Sequence, residues 1–80
     1  ESTDAMISLG FMLGPMGETD VAADYFKRVI GLDPEIAQAY LGLGYVLRAE
    51  DDENSSKENF LKAIELEPRF RQELEGQGIL

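Results

Sequence analysis

The chain repeats itself. Pro34 and Pro68 stand 34 positions apart, and sliding the sequence by that interval lays residues 1–34 onto 35–68 at nine places. Leu9 falls on Leu43, Gly10 on Gly44, Leu13 on Leu47, Phe26 on Phe60, Ile30 on Ile64, Leu32 on Leu66 and Pro34 on Pro68, with Ala5 on Ala39 and Glu1 on Glu35. A fixed period of roughly 20–50 residues marks an array of stacked supersecondary units, none of which can bury its apolar face alone. The two units therefore share one local fold and pack against each other.

Within each unit the apolar residues recur at helical spacing. Met6, Ile7, Leu9, Phe11, Met12 and Leu13 predict a helix over residues 3–14, capped by Ser2 or Thr3. Gly14-Pro15-Met16-Gly17 breaks it, because proline lacks a donor and glycine permits a turn. Val21, Ala22, Tyr25, Phe26, Val29 and Ile30 predict a second helix over 18–31, with Thr19 as its cap and Asp20 at its positive end. A third is expected over 34–49, with Asp33 capping it and Pro34 in its first turn. The run Glu50-Asp51-Asp52-Glu53 reads as a solvated loop. A fourth helix over 54–67 is capped by Asn54 or Ser55, with Ser55 to Glu58 fitting a capping box, and it buries Phe60, Leu61, Ala63, Ile64 and Leu66. Residues 69–76 form a last helix. No strand is expected over 1–68. Leu9, Phe26, Leu43 and Phe60 should be buried.

The second unit reads Tyr40, Leu43-Gly44, Leu47, Ser56, Phe60, Ala63, Pro68; the first reads Met6, Leu9-Gly10, Leu13, Ala22, Phe26, Val29, Pro34. In that order and spacing the chain resembles tetratricopeptide repeat proteins over residues 1–68. Met6 stands where that family usually has a large aromatic residue, and Val29 where it has alanine. The resemblance implies an all-α fold: two stacked helix-turn-helix repeats, 1–34 and 35–68, forming a short right-handed solenoid. Residues 69–80 then form a C-terminal capping helix or the start of a further repeat. It also supplies a reason for Gly10 and Gly44 in helix interiors, where glycine costs about 1 kcal/mol against alanine. The paired helix approaches too closely for a Cβ, so Gly44→Ala should destabilise.

Composition removes most chemistry. There is no Cys, His or Trp, which takes away the thiolate nucleophile, the commonest general base and the best zinc ligands. The acidic run at 50–53 lacks the alternating ligands and distal Glu of a calcium loop. Gly14-Pro15-Met16-Gly17 lacks the Lys-Ser/Thr of a phosphate loop. No enzyme, cofactor or metal site is expected. Seven basic against 16 acidic residues give a net charge of −9, which argues against nucleic acid and anionic membranes as partners. No run reaches the roughly 18 apolar residues of a transmembrane helix, so the chain reads as soluble with its compartment open. Glu1-Ser2-Thr3-Asp4 lacks the basic start of a signal peptide and reads as a cut or processed start. The apolar Ile79-Leu80 reads as a chain that continues.

The resemblance further implies that the first helix of each repeat lines a concave groove. Carried over by position, the groove residues are Asp4, Ile7, Ser8, Phe11 and Gly14, then Gln38, Leu41, Gly42, Tyr45 and Arg48. Repeats that clamp the acidic tails of heat-shock chaperones place Lys and Asn at such positions. Here Ile7, Phe11, Gln38 and Gly42 stand there instead. The expectation is an apolar and aromatic strip of Ile7, Phe11, Leu41 and Tyr45, with Arg48 at its edge, holding a peptide or helix with apolar anchors and a neutral or basic flank. The alternative is an assembly role. Two repeats leave an apolar end face uncovered, fewer than the roughly three such arrays need. Pairing of two copies through that end or through the groove is expected.

Overall fold

The computed structural model describes residues 2–80; Glu1, which the period pairs with Glu35, lies outside the described residues. Five helices follow one another among them: α1 (Thr3–Leu13), α2 (Thr19–Leu32), α3 (Ala37–Ala49), α4 (Glu53–Leu66) and α5 (Phe70–Gly76), with no strand. α1 packs on α2 and α3 on α4, forming two helical hairpins; α2 also packs on α3, which stacks the hairpins, and α5 closes on α4.

The turns obey the period as strictly as the helices do. After α1 the Glu18 N–H donates to the Leu13 carbonyl and the Gly17 N–H to that of Gly14; one period on, Asp52 donates to Leu47 and Asp51 to Arg48. Such paired bonds need a left-handed residue at their centre. Gly17 has φ +90° and Asp51 φ +63°. A third closure of this kind ends α5, where Ile79 donates to Leu74 and Gly78 to Glu75 around Gly78 at φ +76°. That closure folds Ile79 back onto the cluster of Phe60, Phe70 and Leu74. Only Asp51 carries a Cβ in this conformation. Asp51→Gly should therefore raise stability by about 1 kcal/mol in a urea titration. A loss of stability would mean that its side chain holds the turn.

Two helix starts differ from expectation. α4 is capped by Asp52, whose carboxylate accepts the Ser55 N–H at 3.3 Å, and not by Asn54 or Ser55. The left-handed Asp51 reverses the chain early, so the cap falls two residues sooner. α3 begins at Ala37 and not at Pro34. The Asp33 carboxylate accepts the Glu35 N–H at 3.1 Å and Tyr40 donates its hydroxyl to the Pro34 carbonyl at 2.9 Å. An aspartate bonded two residues on makes a turn, and that turn holds Pro34 outside the helix. Thr19 likewise is the first residue of α2, after Glu18, and not its cap. Ser2 caps α1 as expected, accepting from Ala5.

The core is a row of clusters along the stack. Phe26 sits with Ala22, Ala23, Leu43 and Val46, and Met6 sits with Val29 and Ala39. Phe60 sits with Leu41, Ala63, Ile64, Phe70 and Leu74. Phe26 and Phe60 are each 1% exposed. The Ser56 hydroxyl, also buried, donates to the Gly44 carbonyl at 2.8 Å. Leu43 is buried at 6%, but Leu9, expected to match it, is 38% exposed. The two leucines have the same place in their helices. α2 covers that face of α3, whereas among the described residues no helix covers that face of α1.

Candidate binding groove

Phe11 and Tyr45 stand one period apart, on the same side of α1 and α3. Each ring meets the buried phenylalanine of its own repeat edge to face. Phe11 lies 5.1 Å from Phe26 at 73°, and Tyr45 lies 5.2 Å from Phe60 at 76°. Between α1 and α3 an open cleft of about 270 Å³ is walled by Phe11, Gly14, Pro15, Tyr45, Val46 and Ala49, with Phe26 beneath. Glycine stands at three of its positions, Gly10, Gly14 and Gly42. The Phe26 ring fills the space a Cβ would take at Gly10 and Gly42. None of the lining residues is charged, although the chain carries −9. Thr19 and Tyr45 supply the only side-chain hydroxyls.

The structure brings two of the five expected groove residues together and separates the other three. Phe11 and Tyr45 share the cleft. Leu41 does not face solvent: it is 5% exposed and sits in one cluster with Phe60, Phe70 and Leu74, so side chains of α4 and α5 cover it. Ile7 is half-buried against the clusters of Phe26 and Met6. Arg48 is exposed and borders a second, more polar opening with Glu53, Asn54, Lys57, Ile79 and Leu80. Gly42 lies under Phe26 and is buried. Tyr45 has a further partner, accepting a hydrogen bond from the Gln77 side-chain amide at 2.9 Å. Side chains of residues 70–77 thus cover Leu41 and bond Tyr45 at the second repeat, while Phe11 at the first stays exposed.

Sequence reasoning missed Pro15, Val46 and Ala49 as wall residues. A signal was present. Pro15 and Ala49 are one period apart, and each follows its groove aromatic by four positions, the spacing of neighbours on one helix face. Among the described residues no group of three or more His, Cys, Asp or Glu could hold a metal ion, and no helix is long and apolar enough to cross a membrane.

Helical hairpins repeated at a fixed period, each seating a phenylalanine ring against a glycine of its partner helix, define a helical-repeat protein. The tetratricopeptide repeat profile matches residues 3–36 and 37–70, and the chain belongs to that family. No curated protein matches it. Repeats of this family are in general protein–protein interaction modules and typically non-catalytic.

Proposed function

We propose that the chain binds a segment of a partner protein in the cleft between α1 and α3, with Phe11 and Tyr45 gripping its apolar anchors. The observation that carries this reading is an uncharged cleft, walled by two aromatic rings, in a chain of net charge −9. Buried aromatic contacts tend to dominate interface energy. The surrounding negative field repels acidic segments and speeds the approach of neutral or basic ones. Arg48 lies outside this cleft, at the adjoining polar opening, where it can meet a carboxylate of a longer ligand. Leu41 and Ile7 act from behind, holding the helices that present the rings. The reading has no catalytic step and needs no cofactor.

The test is selection of short random peptides on the immobilised chain, followed by Phe11→Ser. Selected peptides should carry a bulky apolar anchor and few Asp or Glu residues. Phe11→Ser should weaken their binding by roughly tenfold or more. The fold should survive with a lowered melting transition, since the ring is already 37% exposed and its edge contact with Phe26 is worth about 1 kcal/mol beyond the burial lost. Tyr45 is the poorer target, because it also holds Phe60 and Gln77 in place. Equal binding by Phe11→Ser would take the cleft out of the account.

A further inference from the structure

We propose that the outer face of α1 pairs two copies of this chain, antiparallel, about a two-fold axis between Ser8 and Leu9. The face consists of Ala5, Ser8, Leu9 and Met12, at helical spacing and all exposed. One period on, the same face of α3 is Ala39, Gly42, Leu43 and Val46, all buried, with Ala39, Leu43 and Val46 packed among α2 side chains. An interface inside this chain therefore marks the register that α1 leaves open.

Three observations identify the occupant as a second copy. First, a helix like α2 does not fit. On α3 the Phe26 ring occupies the notch at Gly42, where an added Cβ would lie 2.2 Å from it. On α1 that notch is closed by the side chain of Ser8. Second, the face is complementary to itself. Antiparallel pairing about that axis sets Ala5 against Met12 and Ser8 against Leu9, and the reverse, so each small residue meets a large one. Alternation of small and large residues is what lets facing helices interdigitate, and a two-fold contact requires it to hold in both directions. Third, residues 5–17 contain no charged side chain. Two chains of −9 each can meet along this stretch without bringing carboxylates together. None of Ala5, Ser8, Leu9 and Met12 lines the cleft between α1 and α3, so the pairing face and the cleft share no lining residue. The contact is one helix wide, below the size of stable protein interfaces, and the dimer is accordingly a reversible, concentration-dependent one.

Sedimentation equilibrium over a wide concentration range tests the association. Leu9→Glu with Met12→Glu should shift the monomer–dimer midpoint roughly tenfold or more to higher concentration, because the pairing would bury unpaired charge. Both residues are exposed, at 38% and 60%, so the fold should survive. The register has its own test, since the chain has no native Cys. Ala5→Cys copies mixed with Met12→Cys copies should form the mixed disulfide in preference to either like pair. A chain that stays monomeric throughout overturns the proposal. So does a dimer insensitive to the glutamates, or random disulfide formation. Saturable binding of a synthetic peptide spanning residues 18–33, with amide shifts confined to Ala5, Ser8, Leu9 and Met12, would also overturn it in favour of an α2-like helix.

Discussion

Phe26→Ala should remove more than a third of the stability of the chain. The ring is 1% exposed. It lies against Gly10 of α1 on one side and Gly42 of α3 on the other, with Phe11 meeting it edge to face. Truncating a buried phenylalanine costs about 3–5 kcal/mol through lost transfer energy and the cavity left behind. A chain of 80 residues has on the order of 4–12 kcal/mol in total. The site cannot collapse cheaply, because the groups that would have to close on the cavity are helix backbones at glycine. Urea unfolding followed by circular dichroism should show the midpoint falling by more than a third. The apolar cleft should lose its floor with it, since the ring forms that floor. A loss below about 1.5 kcal/mol would show that α1, α2 and α3 are held together by something other than this ring.

Much of this arrangement was legible because the period constrains every element twice. The paired helices and both buried phenylalanines follow from residues that recur at the same offset, and the break at Gly14-Pro15-Met16-Gly17 follows from its own proline and glycines. What was not legible depends on which neighbour is present, and identity at one offset does not carry that information. Leu9 and Leu43 are the same residue in the same register, yet only Leu43 has a helix laid against it. Leu41 was expected in the groove because its position in the repeat belongs there. Side chains of α4 and of the seven-residue α5 cover it, and periodicity could not say how far residues 69–80 would reach. The cap of α4 hung on one backbone angle, the positive φ of Asp51, where the first repeat has the more telling Gly17. Of the expected groove residues, Phe11 and Tyr45 are the two that line one cleft. Their footing on Phe26 and Phe60 was not foreseen, because each ring reaches its helix partner across about half a repeat.

The glycines allow the packing argument to be tested by sign as well as by size. Gly44 was expected to be crowded, and a Cβ there would lie 2.7 Å from the Phe60 ring. The more crowded position is Gly42, which the period pairs with Ser8 and so conceals. An added Cβ would lie 2.2, 2.3 and 2.7 Å from three atoms of the Phe26 ring. Those atoms belong to a rigid side chain whose other side is already at Gly10, so the ring has nowhere to move. Overpacking of this severity belongs at the upper end of its usual range, about 3 kcal/mol. Against it stands the gain of about 1 kcal/mol from alanine in a helix interior. Gly42→Ala should therefore lose about 2 kcal/mol net. Gly44→Ala should lose less, about 1 kcal/mol, because its contacts are looser. Gly31→Ala should do the opposite. It lies inside the last turn of α2 with nothing within 4 Å of its Cβ position, so only the propensity acts, and a gain of about 0.5 kcal/mol is expected. Denaturant titrations of the three variants give the order directly. Phe26→Leu placed on top of Gly42→Ala should cost less than the two separate losses combined, since the ring and the added methyl compete for one space. A Gly42→Ala chain as stable as the parent would mean that the ring has an alternative seat and that contact between α2 and α3 does not depend on glycine.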